Sequence, residues 1–246
     1  MKLAITGKGG VGKSTLSAAI AQHIADEREV IAIDGDPDMN LAGTLDIEQP
    51  APITRETSLI EDRAGSSGGL LQMQPEVEDV LKDYSVPFGA AGRLVTIGPP
   101  EGGGTGCMCP ENNFIRALVN QALDADDVIM DMEAGIEHLG RGTADDMDAM
   151  IVVIEPSRAS IETAHQIQSL ATDIGIDEIY GFLNKVRDEG EAELVREQAD
   201  IPIIETFGYD EDVAAAGLQG TSPVEESEAL RAVAVDVIDA ISDAGP

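Results

Sequence analysis

The chain has 246 residues, 43% of them hydrophobic, and its 47 acidic residues outnumber 15 lysines and arginines to leave a formal net charge of −32. The apolar content argues against a wholly disordered chain, which would lack the residues to build a core. The negative charge disfavours nucleic acid and anionic membranes as general partners, because both bind basic surfaces.

Predicted strands and helices alternate along most of the chain. Short apolar runs predict strands, and amphipathic spacing predicts helices between them. This alternation predicts an α/β fold, a single doubly wound domain over residues 1–246 with a mostly parallel β-sheet flanked by helices. In chain order we expect strand Lys2–Thr6, helix Lys13–Asp26, strand Val30–Asp34, strand Leu94–Ile97, helix Glu111–Ala122, strand Asp127–Asp131, strand Ala149–Glu155, helix Ser160–Ile174, strand Glu178–Asn184, helix Glu189–Ala199, strand Ile201–Glu205 and helix Val224–Asp243.

The stretch from about 48 to 106 departs from this alternation. It is rich in Gly, Pro and Ser, including Pro99-Pro100, and such residues favour turns and loops. Besides the strand at Leu94–Ile97, we expect a short strand at Leu70–Met73. We interpret the stretch as an irregular insertion on one rim of the sheet rather than as a second domain.

The turn between the first strand and the first helix carries a phosphate-binding pattern. Gly7–Thr15 reads Gly-x-x-x-x-Gly-Lys-Ser-Thr, the P-loop motif, and its position between strand and helix is the one that the motif requires. Backbone N–H groups of such a loop hold phosphate oxygens, the lysine reaches the β- and γ-phosphates, and the serine ligates Mg²⁺. The sequence therefore predicts a P-loop NTPase with nucleotide-binding residues Gly9, Gly10, Val11, Gly12, Lys13, Ser14 and Thr15, of which Ser14 also holds Mg²⁺.

Two acidic loops follow predicted strands. The run Asp34–Asn40 places Asp36 at the carboxyl end of a strand, where a carboxylate can orient the attacking water or hold one that is bound to Mg²⁺. An acidic turn in an acidic protein is the alternative. The strand at Asp127–Asp131 ends in the Walker B arrangement, which places Asp131 near Mg²⁺, and Gly135 can bring its N–H to the γ-phosphate.

These three loops together resemble those of the deviant Walker A ATPases. That family includes cell-division and plasmid-partition ATPases, the nitrogenase iron protein and the ATPase that targets tail-anchored proteins. The resemblance implies an ATP-dependent homodimer in which Lys8 crosses the interface to the phosphates of the other copy. It implies that Asp36 positions water and that Asp131 and Gly135 belong to switch II. The implied catalytic residues are Lys8, Lys13, Asp36 and Asp131.

A narrower resemblance extends from the P-loop to about Val186. The segments Cys107–Pro110, Asp131–Gly142 and Glu155–Ser157 resemble those of the carbon monoxide dehydrogenase maturation ATPases, a family of nickel-insertion accessory proteins. The resemblance implies a metallochaperone with a client metalloenzyme. It is weaker in 48–92 and beyond Asp188.

The two cysteines of the chain, Cys107 and Cys109, form a Cys-x-Cys pair. Two thiolates make a poor metal site, but a two-fold dimer supplies four, which suits tetrahedral Zn²⁺ or square-planar Ni²⁺. Pro110 fits the first position of the following helix, and a helix N-terminus lowers thiol pKa and so favours thiolates. Two small buried thiols are the alternative from the residues alone; with the resemblance, metal binding at the dimer interface is the leading hypothesis.

The resemblance also implies an adenine pocket at Asn184 and Lys185. An Asn side chain can pair with the amino group and a ring nitrogen of adenine. A later loop, Thr206–Asp210, matches the family except that Gly208 stands where relatives usually have Pro. His138 in switch II is a candidate metal or relay residue, although we favour a polar residue that holds the loop.

Two other functions compete with the metallochaperone. A positioning or partition ATPase without metal needs a basic C-terminal helix or basic patches, whereas 225–246 is acidic with Arg231 as its single basic residue. An electron-transfer ATPase with a bridging iron–sulfur cluster takes one cysteine from the loop of Cys107 and another from switch II, and Met132–Arg141 has none. A cluster held by the four Cys107 and Cys109 thiols of a dimer is the form of this alternative that stays open. With neither a signal peptide nor a membrane span expected, we predict a cytoplasmic protein, in a cytoplasm whose high salt screens the charge.

Overall fold

The chain builds an eight-stranded β-sheet in a computed structural model that describes residues 1–65, 72, 74–99, 110–134 and 146–244. The strand order is β3-β4-β2-β5-β1-β6-β7-β8, and every neighbouring pair is parallel except the antiparallel pair β3–β4. This confirms the predicted α/β architecture. The strands are β1 Lys2–Gly7, β2 Val30–Asp34, β3 Val86–Phe88, β4 Gly92–Thr96, β5 Val128–Asp131, β6 Ala149–Ile154, β7 Ile179–Val186 and β8 Ile203–Gly208.

Helices cover both faces of the sheet. Successive residues of a strand point to opposite faces, so Leu3 and Ile5 of β1 join one buried cluster and Ala4 joins another. Within the described ranges, no helix is both long and apolar enough to span a bilayer. The helices are α1 Lys13–Glu27, α2 Leu41–Thr44, α3 Thr57–Ala64, α4 Glu78–Asp83, α5 Pro110–Ala122, α6 Arg158–Ile174, α7 Glu189–Gln198, α8 Glu211–Gln219, α9 Pro223–Glu226 and α10 Glu228–Ala244, with a 3₁₀ turn at Ile53–Arg55.

The candidate site lies at one edge of the sheet. Because β2, β5, β1, β6 and β7 run parallel as neighbours, their carboxyl ends meet at the same edge. The P-loop follows β1 at this edge, and the acidic loops follow β2 and β5. The ends of β6 and β7 bring Glu155 and Asn184 to the same side.

Several expected boundaries differ from the structure by one to three residues, and two departures near the C-terminus have a structural reason. The last strand begins at Ile203 rather than Ile201, because Pro202 has no N–H to donate to the ladder. The predicted C-terminal helix is divided into α9 and α10 at Ser227, whose backbone is extended and whose Oγ accepts a hydrogen bond from Leu230 N at 3.0 Å. A serine that accepts from the N–H three residues later starts a new helix.

The stretch expected to be irregular contains more regular structure than the sequence indicated. Helices α3 and α4 lie within it and, together with α5, surround a buried cluster that includes Ile60, Val80 and Phe114. The expected strand at Leu94–Ile97 is confirmed as β4, shifted by one or two residues. Of the expected strand at Leu70–Met73, only Gln72 is described, and it is not in a strand.

Candidate functional site

The P-loop passes so close to β6 and β7 that two of its positions admit only glycine. Gly7 has φ +146°, and a Cβ there would lie 2.5 Å from the carbonyl oxygen of Val153. Gly12, which precedes the first residue of α1, has φ +102°, and a Cβ there would lie 2.3 Å from Asn184 Nδ2. Both the left-handed backbone and the close contacts exclude larger residues. The glycines predicted for phosphate binding therefore set the path of the loop.

The remaining P-loop residues differ in exposure. Gly9 and Gly10 are exposed, and Ser14 and Thr15 are half-buried in the first turn of α1. Lys8 is half-buried and lies in a turn, in which Val11 N donates to the Lys8 carbonyl at 3.4 Å. The Lys8 side chain makes no ion pair within the described ranges.

Lys13 and Asp36 form a buried ion pair across the site. Lys13 Nζ lies 3.2 Å from Asp36 Oδ2, and the residues are 5% and 6% exposed. The other oxygen, Asp36 Oδ1, accepts a hydrogen bond from Asp38 N at 3.0 Å. The structure therefore brings together two residues that the sequence assigned to the same chemistry.

Two more carboxylates are buried beside this pair. Asp34 and Asp131 are register partners on β2 and β5, and both are fully buried. Asp34 accepts hydrogen bonds from Asp36 N at 3.2 Å and from Leu41 N at 3.1 Å. Burial, reinforced by the neighbouring Asp131 charge, raises the pKa of Asp34 to about 7. Sequence reasoning missed Asp34, although its place in the Asp-Gly-Asp run was a signal.

Asp131 has the surroundings of a residue that faces a cation. Burial raises its pKa to about 6, while the nearby Ser14 hydroxyl and the charge of Lys13 act in the opposite direction. Asp131 Oδ1 accepts from Ser17 Oγ at 3.3 Å, and Oδ2 is buried with no hydrogen-bond partner in the described part of the chain. An unpartnered carboxylate oxygen beside the Ser14 hydroxyl fits Mg²⁺, which takes oxygen ligands and keeps several waters.

The residues predicted for the adenine pocket contact the P-loop directly. Asn184 Nδ2 donates to the Val11 carbonyl at 2.7 Å, and Asn184 Oδ1 accepts from Lys185 N at 2.8 Å. Among the described residues these bonds use one N–H and one acceptor site of the amide and leave one of each for a base. Lys185 Nζ donates to the Gly10 carbonyl and lies 3.5 Å from Glu155 Oε2.

A cleft of about 90 Å³ opens beside Asn184. Phe182, Phe207 and Leu230 give it an apolar wall, and Tyr209 lines it. The Arg187 guanidinium lies 5.7 Å from the Tyr209 ring centroid, a cation–π distance. The cleft shares its apolar walls with ligand pockets, but its volume of about 90 Å³ is well below the roughly 300–1,000 Å³ usual for them.

The remaining candidates lie outside the described residues. These are Gly135 and His138 in the predicted switch II, and the cysteines Cys107 and Cys109. Within the described ranges, no group of three or more His, Cys, Asp or Glu side chains is arranged to hold a metal.

The chain matches a known family over most of its length. The family model of the CobQ/CobB/MinD/ParA nucleotide-binding domain matches residues 2–224. The carbon monoxide dehydrogenase accessory protein CooC of Rhodospirillum rubrum is 37% identical over 243 residues, which cover 94% of this chain and 92% of that protein. An uncharacterised ATP-binding protein of Methanocaldococcus jannaschii is 34% identical, with 95% of each chain covered.

Solved structures support the fold. The MinD cell division protein of Aquifex aeolicus superposes with a TM-score of 0.66 over 97% of each chain, at 18% sequence identity. At that identity the likeness concerns the fold alone. Together with the family match and the P-loop geometry, it leads to one assignment: the chain belongs to the CobQ/CobB/MinD/ParA family of nucleotide-binding domains.

Proposed function

We propose that this ATPase is a metallocentre-maturation factor that inserts nickel into a client enzyme similar to carbon monoxide dehydrogenase. The observation that carries the proposal is the 37% identity, over 94% of this chain, to a carbon monoxide dehydrogenase accessory protein. The Cys-x-Cys pair at Cys107 and Cys109 supports it, because soft thiolates suit Ni²⁺ and Zn²⁺. We place the activity in a high-salt cytoplasm, which the net charge of −32 supports.

The nucleotide site carries the first half of the mechanism. Backbone N–H groups of the P-loop hold the phosphates of ATP, and Lys13 lies at the start of α1, where it reaches the β- and γ-phosphates. Ser14 and Asp131 would hold Mg²⁺, which supplies charge neutralisation on those phosphates. Asp36, adjacent to Lys13, would orient the attacking water. Gly135, which lies outside the described residues, would offer its N–H to the γ-phosphate.

Dimerisation carries the second half. Lys8, in a turn followed by the exposed Gly9 and Gly10, reaches the phosphates of a second copy and stabilises the charge that develops there. The ATP-bound homodimer then brings four thiolates together, two each from Cys107 and Cys109, to hold one Ni²⁺ or Zn²⁺ as cargo. Hydrolysis reopens the dimer and releases the metal to the client.

Metal analysis combined with gel filtration in high salt, with and without ATP, tests this proposal. We expect one metal ion per dimer with ATP and a monomer without it. The double variant Cys107→Ser/Cys109→Ser should lose the metal and keep ATP hydrolysis, whereas Lys8→Ala should keep ATP binding and lose the dimer. Unchanged metal stoichiometry in the cysteine variant would falsify the metallochaperone. A wild-type dimer that forms with ATP but carries no metal would instead support a positioning switch.

A further inference from the structure

The segment that follows β6 makes contacts that the proposed mechanism does not use. Glu155 comes directly after β6, and Ser157 caps the N-terminus of α6. Glu155 N donates to Ser160 Oγ at 3.1 Å, and Ser157 Oγ donates to Glu155 Oε1 at 3.4 Å. The first turn of α6 therefore fixes both the backbone and the side chain of Glu155.

The second carboxylate oxygen of Glu155 faces Lys185 at the end of β7. Glu155 Oε2 lies 3.5 Å from Lys185 Nζ, and the same Nζ donates to the carbonyl of Gly10 in the P-loop. Lys185 has φ +61°, a left-handed backbone that long side chains rarely adopt. Such conformations persist where surrounding contacts impose them. The contacts thus form a continuous relay from the start of α6 through Glu155 and Lys185 to Gly10.

Hydrogen bonds hold the P-loop peptide at Gly10, which is exposed, whereas the next residue, Val11, is fixed by burial in the core. A Cβ placed on Gly10 would meet no atom of the described residues within 4 Å. Lys185 holds the Gly10 carbonyl, and Asn184 holds the next one, that of Val11, at 2.7 Å. In a planar trans peptide the C=O and the following N–H point in opposite directions. Holding these two carbonyls therefore fixes the direction of the Gly12 N–H and that of the Val11 N–H, which donates to the Lys8 carbonyl at 3.4 Å.

We propose that Glu155 is a positioning residue for nucleotide binding, which acts through Lys185 to orient the P-loop peptide at Gly10. Glu155 balances the charge of Lys185 and keeps its ammonium group on the Gly10 carbonyl, beside a loop that already contains Lys8 and Lys13. The inference rests on the nucleotide site of the proposed function and is independent of its metal and its client.

Steady-state ATP hydrolysis and ADP titration of single and double variants test the relay. Glu155→Gln should raise the KM for ATP and the Kd for ADP about threefold, since it removes one half-exposed ion pair. Lys185→Met, which also removes a charge-assisted hydrogen bond, should raise both about tenfold. In both variants kcat should stay within about twofold, because the cradle holds the phosphates equally in the ground and transition states.

The double variant separates a relay from two independent contributions. If Glu155 acts through Lys185, Glu155→Gln should have no further effect in the Lys185→Met background. Glu162→Gln is the matched control, because it removes the same charge from an exposed ion pair with Arg158 in α6. This control should change neither the KM for ATP nor the Kd for ADP. Additive effects in the double variant, or a fall in kcat at constant KM, would overturn the relay. A wild-type chain that binds no ADP would overturn the nucleotide site itself.

Discussion

At the scale of single residues, the ion pair between Lys13 and Asp36 leads to a direct test of how the site binds phosphate. Both side chains are nearly buried, so an incoming triphosphate has to replace Asp36 as the counter-ion of Lys13. The displaced carboxylate is then available to the attacking water. Asp36 would thus be coupled to phosphate binding as well as to hydrolysis.

We predict that Asp36→Asn lowers kcat by about 10² to 10⁴, the usual contribution of a group that assists proton transfer. ADP affinity should be equal or higher, because a competing internal anion is gone. Single-turnover hydrolysis and calorimetric ADP titration measure the two effects. Asp38→Asn is the control, since Asp38 is exposed, lies in the same loop and carries the same charge. Weaker ADP binding in Asp36→Asn alone would contradict the competition.

The buried Asp34 predicts how stability depends on pH. Its pKa is raised from 3.8 to about 7, so the folded chain holds its proton more tightly than the unfolded chain. The contribution of Asp34 to stability is therefore fully present below the unfolded pKa and is lost as pH rises through about 7. Asp131 titrates together with it, because the two carboxylates are neighbours.

We predict that, without Mg²⁺ or nucleotide, the unfolding free energy of the wild type falls relative to that of Asp34→Asn as the pH rises from about 5 to about 8. The relative loss should be on the order of 2–3 kcal/mol. Urea unfolding of both proteins at the two pH values measures the difference. The comparison cancels the titration of the many surface carboxylates. A constant difference between the two proteins across this range would show that Asp34 titrates normally.

At the scale of elements, the cleft beside Asn184 depends on how α8 and α10 begin. Asp210 caps α8 by accepting from Asp212 N at 2.8 Å and Val213 N at 3.1 Å. Its other oxygen accepts from Ser227 Oγ at 2.6 Å, and Ser227 in turn accepts from Leu230 N at the start of α10. One carboxylate therefore joins two helix starts that border the cleft.

We predict that Asp210→Ala lowers the unfolding free energy by about 2 kcal/mol, the upper end for a cap, because it also leaves Ser227 without its acceptor. Asp188→Ala is the matched control, since Asp188 caps α7 through a single side-chain bond, to Glu191 N at 3.1 Å, and should cost about 1 kcal/mol. Urea unfolding measures both losses. Equal losses would mean that the link to α10 contributes nothing.

The elements also explain which predictions succeeded. The P-loop and its flanking strand and helix were predictable because their motif and hydrophobic spacing lie within Lys2–Glu27, although Val153 and Asn184 constrain two of the loop glycines from outside that range. The short helices α3 and α4 were missed, since each buries its apolar residues mainly against α5 and has little periodic signal of its own. A Gly- and Pro-rich composition therefore concealed two packed helices.

At the scale of the whole molecule, the sheet order decides which residues meet. β1 lies between β5 and β6, and β6 pairs with β7, although these strands are far apart along the chain. This order brings Asp131, Glu155 and Asn184 to one P-loop. The net charge of −32, in contrast, follows from composition and does not depend on strand order.

The sequence by itself determined the nucleotide-binding loop, the α/β alternation and the resemblance to a metal-insertion ATPase, because each of these depends on residues that are close together along the chain. Only the tertiary structure decided that Asp34 and Asp131 are a buried pair with raised pKa values, and that Glu155 reaches Gly10 through Lys185. Burial and long-range hydrogen bonds depend on strand order, and no local pattern specifies that order.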